Sequence, residues 1–372
     1  MIKYRLGDVL TIIMDYRGKT PKKLGLDWTE DKNDIVALSA KNLKNGELIN
    51  LDKSHYGNSA LYNKWMKDGD ISVGDILMTS EAPLGELFLV DKPIKAILSQ
   101  RIFLLRPNNS IVLPWYLYFY MSSKNFQNRL NGHATGTTVI GIKQKELRNI
   151  EIELPSLSIQ KSIVRKLVPI SKKIEINKEI NANLLNLANT LFKHYFPDIN
   201  TGTDKIGDYI KNFDKLRKPL SKKQRSEIPG KYRYIGATSV NDRIDKYNFD
   251  GIYLLLGEDG TVQDEYGFPI LQYTFGKFWP NNHAHVLQGK NVSTEWLYLY
   301  FSQRNISGIV TGAVQKKVSQ KNMNSLKFKL PDSQELKKFD KIIQPLFSKI
   351  RSTKLENYQL EELKRVLLTK LF

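Results

Sequence analysis

From Ile163 onward, Leu167, Ile170, Ile174, Asn177, Asn181, Leu184, Ala188, Leu191 and Tyr195 follow one another in alternating steps of four and three. That spacing is the seam of a coiled coil and predicts a long helix. A second series with the same rhythm runs through Phe339, Ile343, Leu346, Ile350, Thr353, Asn357, Leu360, Lys364, Leu367 and Leu371. Both seams begin apolar, turn polar in the middle and end apolar. Two such stripes are best buried against each other, with Asn181 and Asn357 discouraging slipped registers. The expected pairing positions are Ile163, Leu167, Ile170, Ile174, Asn181, Leu184 and Leu191 on the first helix, and Phe339, Ile343, Leu346, Ile350, Asn357, Leu360 and Leu367 on the second. Pro169 and Pro345 fall inside the arms and are expected to kink or restart each one.

The seams belong to a wider repetition at an offset of 176. Thr135-Gly136 returns as Thr311-Gly312, Gln144-Lys145 as Gln320-Lys321, Leu154-Pro155 as Leu330-Pro331, Pro169 as Pro345, and Phe196 as Phe372. Upstream the match loosens, so each half opens with a variable region and closes with a matched helix. Within the variable regions, Gly74 to Thr79, Arg101 to Leu105, Gly251 to Leu256 and His285 to Leu287 are short apolar runs bounded by turn residues, which predicts strands. Pro114 to Met121 and Thr294 to Ser302 read as helices, each opened by a residue suited to a first turn or cap. Ile150 to Leu154 and Leu326 to Leu330 alternate apolar and charged residues as half-buried strands do. The fold class expected is α+β: two mixed α/β domains at 1–153 and 200–329, separated by two long antiparallel coiled-coil helices at 154–199 and 330–372.

Charge narrows the partner. The chain of 372 residues holds 57 Lys plus Arg against 38 Asp plus Glu, a formal charge of +19. Residues 1–200 carry 28 basic and 20 acidic side chains, and residues 201–372 carry 29 and 18, so both halves are positive. A shared surplus of this size points to a polyanion met by two similar units. The absence of cysteine excludes a disulfide scaffold, a thiolate zinc site and cysteine nucleophilic catalysis. The longest apolar or aromatic run, Ile111 to Met121, is far short of the about 20 residues needed to cross a bilayer. With Lys3, Arg5 and Asp8 at its start, the chain is expected in the cytoplasm.

Two variable regions, each followed by Leu-Pro and a long helix with an entry such as Ile159-Gln160-Lys161, resemble the specificity subunit of type I restriction-modification enzymes. Gly74-Asp75-Ile76-Leu77 with Ser99-Gln100, and Gly276-Lys277-Phe278-Trp279 followed by Asn282-His283-Ala284-His285-Val286-Leu287, agree with it. The resemblance covers essentially the whole chain. It implies two target recognition domains, each reading half of a split double-stranded DNA sequence, held apart by an antiparallel helix pair that docks two methyltransferase (M) subunits. It further implies restriction (R) subunits bound through them, S-adenosylmethionine, ATP and Mg on those partners, and no catalytic residue or cofactor here. Leu336 stands where the first helix has Gln160, so the two docking surfaces are expected to differ. A rigid helix from Pro169 to Phe196 spans roughly 40 Å, comparable with the roughly 34–36 Å between half-sites one DNA turn apart, so the arms are suited to act as a ruler.

Candidate DNA contacts are loops that bring cations, amides and hydroxyls to a duplex. In the first half these are Arg17, Lys19, Lys22 and Lys23; Ser39, Lys41 and Asn42; and Thr135, Thr137 and Thr138. In the second they are Arg217, Lys218, Lys222, Lys223 and Arg225; Thr238, Ser239 and Asn241; Asn282 and His283; and Thr311, Gln315, Lys316 and Lys317. In a strand His283 and His285 would share a face, but their neighbourhood supplies no third zinc ligand, so no metal is expected. Pro331-Asp332 with Glu335-Leu336-Lys337 superficially echoes a restriction nuclease site; its repeat partner keeps no acid. No Walker, amino-methyltransferase, His-Glu-x-x-His or Gly-x-Ser-x-Gly pattern occurs. The rival readings are a stand-alone bipartite DNA-binding protein without a methyltransferase partner, a nuclease with an unrecognised site, and a coiled-coil scaffold without a DNA role.

Overall fold

The computed structural model describes residues 1–136, 138–312 and 314–372. It forms two compact units: Met1–Ile174 with Gln359–Phe372, and Glu175–Tyr358. The architecture is α+β with an internal repeat, and each unit contains a stretch of both long helices, Leu157–Tyr195 and Ser333–Leu371. Both helices run continuously through Pro169 and Pro345, so neither arm restarts there. Each proline removes one N–H from the ladder, and Pro169 and Pro345, like Arg165 and Lys341 one turn before them, are exposed.

In the first unit, Ile2–Arg5 pairs antiparallel with Glu151–Leu154. Beyond that clasp lies a four-stranded antiparallel sheet in the order Leu10–Asp15, Ile102–Pro107, Ile76–Thr79, Leu87–Leu89. Its central strands are apolar on both faces because both are covered. Ile76, Met78, Phe103 and Leu105 face a core built with the helix Pro114–Ser122, while Leu77, Ile102 and Leu104 face a second core with Trp65 and Leu98. Ile163 and Leu167 of the first long helix join the former core, as do Leu367, Leu371 and Phe372 of the second. The Phe372 ring packs edge-on to Tyr116 and Tyr120, and the Asn125 amide donates to its terminal oxygen at 2.6 Å.

The second unit repeats the clasp with Asp204–Lys205 against Lys327–Phe328, shorter than the alternation over Leu326 to Leu330 suggested. Its sheet has six strands, ordered Ile210–Asn212, Ala284–Gly289, Phe249–Gly257, Leu271–Pro280, Pro229–Ile235, Val240–Ile244. Only the neighbours Leu271–Pro280 and Pro229–Ile235 run parallel. Phe192, Phe196, Trp296, Phe328 and Phe339 form its aromatic centre.

In the second unit the predicted seam is met in part: Phe192 and Phe347 take buried places expected of their neighbours Leu191 and Leu346, which only flank the core. Ile343, Phe347 and Ile350 share one core with Ala188 and Phe192, with Leu184, Leu191 and Leu346 packed against it. In the polar middle, Asn177 donates to Asn357 Oδ1 at 2.9 Å and to Glu356 at 2.8 Å, while Thr353 donates to Asn181. Because 177 faces 357 and 181 faces 353, the segments run antiparallel. Asn181 and Asn357 therefore take different partners rather than each other. Gln160, expected on a docking surface, is instead fully buried: it accepts from Leu113 N–H at 2.9 Å and donates to Ile111 and Pro155 carbonyls at 3.0 Å each. Its role is to hold the turn entering the helix Pro114–Ser122. Leu336 packs instead on the edge of the second unit's core.

Candidate nucleic-acid interface

Loops far apart in sequence are tied into one cation-bearing end of the first unit. Arg17 grips Asp15 through two bonds of 2.7 and 2.6 Å, donates to the Ile142 carbonyl at 3.0 Å and lies over the Phe103 ring. Ile142 N–H donates to Ser80 O at 3.0 Å, and Ser80 N–H to Arg101 O at 2.9 Å. Arg101 pairs with Glu81 at 2.8 Å, and Ala40 N–H donates to the carbonyl of the adjacent Gln100. The Ser39 turn, the Arg17 turn and the Thr135 loop thus share one scaffold. Thr135 and Gly141 exchange backbone bonds of 2.9 and 3.0 Å, closing a loop whose Gly136 has φ +123°.

This scaffold sorts the candidates. Lys22, Lys23, Lys41, Thr135 and Thr138 are exposed, Ser39 is half-buried, and Thr137 lies outside the described residues. Lys19 donates to the Trp65 carbonyl over the Tyr16 ring; burial, its largest influence, and Lys67 hold its ammonium below the ordinary lysine range despite Asp68. Lys23 reaches back to Gly18 O. Asn42 is buried and its amide donates to Ile49 O, Asn50 O and Ser54 Oγ, so the adenine contact expected of it has no free hydrogen. Lys41 and Ser39 are what this turn offers. Arg101 and Gln100 were not among the candidates. Arg101 has φ +66°, and only the bounding position beside an apolar run hinted at a turn there.

The second unit builds a corresponding end with different braces. Thr311 and Lys317 exchange bonds of 2.8 and 2.7 Å, and Gly312 has φ +92°. Val318, the repeat equivalent of Ile142, donates to Glu258 O at 2.8 Å and accepts at its carbonyl from His285 Nε2 at 2.9 Å. The carbonyl held by Arg17 in one unit is therefore held by His285 in the other. His285 Nδ1 lies 2.6 Å from Asp214, whose other oxygen accepts from Val286 N–H. Burial alone would lower the imidazole's pKa; Asp214, the Val318 carbonyl and Glu258 outweigh it and raise it. Burial likewise pushes Asp214 up, and His285, Val286 N–H and Asn212 bring it below the usual carboxylate range.

Asp214, Glu258 and His285 converge as a metal site's ligands do, but the Arg217 guanidinium already occupies that charge, 2.6 Å from Glu258 and bonded to the Asn282 and Ala284 carbonyls. Arg217 is thus a brace. Arg225 also faces inward, to Asp242 and Leu220 O. The helix Lys222–Glu227 leaves Lys222 and Lys223 exposed, as are Lys218, Thr238, Ser239, Asn241, Asn282, Thr311, Gln315, Lys316 and Lys317. Lys317 lies 3.6 Å from Glu258, and exposed His283 pairs with Asp259 while His285 turns into the core, so the two rings do not share a face. Gln272 donates to Gly236 and Ala237 carbonyls and fixes the turn carrying Thr238 and Ser239. Exposed ammonium, amide and hydroxyl groups on a rigid hydrogen-bonded base suit a phosphate backbone and base edges. Among the described residues, no helix is long and apolar enough to cross a membrane.

Comparison with known proteins agrees with this construction. The MjaIX type I restriction enzyme specificity subunit of Methanocaldococcus jannaschii is 23% identical over 393 aligned positions, covering 95% of this chain and 89% of that protein. The HindI specificity subunit of Haemophilus influenzae is 28% identical over 132 residues, 34% of this chain and 29% of that one, so that match spans under a third of its length. The crystal structure of a type I restriction-modification S subunit from M. genitalium shares the fold, with TM-score 0.56, 17% identity, and coverage of 100% of this chain and 96% of that one. The family profile described as type I restriction modification DNA specificity domain matches twice, at residues 1–186 and 203–365. The chain belongs to that family of type I restriction-modification specificity subunits.

Proposed function

We propose that this chain is the non-catalytic DNA-reading subunit of a type I restriction-modification enzyme, each unit reading one half of a bipartite target. The observation that carries this reading is the duplicated loop end: Thr135–Gly141 and Thr311–Lys317 are closed by the same bonds and flanked by exposed cations. In this reading two methyltransferase subunits dock on the long helices and restriction subunits bind through them. S-adenosylmethionine, ATP and Mg belong to those partners, all in the cytoplasm. A methyltransferase bound here flips the target adenine from the duplex and methylates it. The antiparallel helices set the unread gap between half-sites. The test is co-expression with a cognate methyltransferase. The complex should transfer methyl groups to host DNA with S-adenosylmethionine while neither chain alone does. Methylation by either chain alone, or no co-purification, would overturn the reading.

A further inference from the structure

Away from the loop end, the second unit contains a cavity of about 150 Å³ between the two long helices and the sheet. Leu185, Tyr273, Tyr298, Phe347 and Ile350 give it apolar and aromatic walls, and Lys354 supplies its charge. The Lys354 side chain is half-buried with no hydrogen-bond or ion-pair partner among the described residues. Glu295, a buried carboxylate of this unit that bonds the cavity-wall residue Tyr273, is consumed by Arg351 at 2.9 Å, Tyr273 at 2.6 Å and Gln344 at 3.1 Å. The charge next to Lys354 is another cation, Arg233, itself committed to Phe275 O and Tyr358. Burial, and then Arg233, hold the ammonium below its ordinary range.

A desolvated ammonium without a counter-charge is unfavourable unless an anion joins it. The surrounding apolar walls select what else that anion carries. A space of roughly 150 Å³ accepts a body the size of a benzene ring. We propose that this cavity is a binding site for a small monocarboxylate with an aromatic or branched apolar body, its carboxylate paired with Lys354. The inference does not depend on the DNA-reading proposal.

The probes are benzoate, benzyl alcohol and benzylamine, which share one ring and differ in charge, titrated calorimetrically into the purified full-length chain. Benzoate should bind at least about tenfold more tightly than benzyl alcohol, as a charge-assisted bond predicts, and benzylamine least. Lys354→Met should remove the preference while leaving benzyl alcohol's affinity within about threefold, and Lys354→Arg should retain it. Ala182→Trp, at the cavity wall, should block benzoate and benzyl alcohol without changing the melting temperature. Equal binding of benzoate and benzyl alcohol by the wild type, no binding of either, or a benzoate preference surviving in Lys354→Met would overturn the proposal.

Discussion

Replacing Gly312 with alanine puts a Cβ 2.1 Å from the Gln315 carbonyl oxygen, where ordinary contact begins at 3.4 Å, in a backbone held at φ +92°. The Thr311–Lys317 loop must then rearrange. A backbone forced into this region costs about 1–3 kcal/mol, which bounds the loss in affinity at one half-site to about 5- to 150-fold. The loop is exposed, and the core beneath it is untouched, so the melting temperature of the second unit should stay as it is. Gly136→Ala is the twin perturbation: its Cβ would sit 2.1 Å from the Val139 oxygen at φ +123°. The assay is fluorescence anisotropy of the assembled methyltransferase on duplexes carrying both half-sites or either one scrambled. Gly312→Ala should weaken discrimination at one half-site only and Gly136→Ala at the other. Equal losses at both, or none in a chain whose loop has shifted, would refute the assignment of one loop to each half-site.

Gln160→Leu strands the buried Leu113 N–H and two carbonyls, each worth about 1–3 kcal/mol, and should lower the unfolding temperature of the first unit in calorimetry. The second unit should be most stable near neutral to mildly acidic pH: raised His285 contributes fully below its unfolded value of about 6.5 and is lost as pH rises through its folded pKa. Depressed Asp214 contributes above its unfolded value and is lost only as pH falls through its folded one. His285→Gln should flatten the alkaline side of a pH series of thermal unfolding. Lys41→Ala removes one exposed cation and should reduce the slope of log affinity against log salt by about 1, with losses read on the half-site of the first unit.

The four-three rhythm of the chain made the long helices legible, but not every buried position: Phe192 and Phe347 sit one residue beyond the seam positions Leu191 and Leu346, because the large rings fill the aromatic core that only the folded second unit assembles. The aromatic run from Pro114 and the buried strand Ile76–Thr79 were equally plain, since turn residues bound them. Gln160 was misplaced because its partners, Leu113 and Ile111, lie nearly fifty positions away and no local rhythm marks a clamp. Asn42 looked like a free amide for the same reason: its acceptors come from the next turn, not from its own. Arg17 and Arg217 are cations in basic loops by sequence and braces by structure, because Asp15 and Glu258 claim them. Arg101 escaped notice since its left-handed backbone is set by the Ser80 and Glu81 contacts, which only the folded sheet brings together.

The most direct test is base-resolution methylation mapping of host DNA with this chain present, deleted, or carrying loop substitutions in one unit. The account predicts two short specified elements separated by a fixed number of unread bases, both lost on deletion. A substitution confined to one unit should alter one element and leave the other element and the gap unchanged. A single continuous motif, or methylation unaltered by deletion, would contradict it.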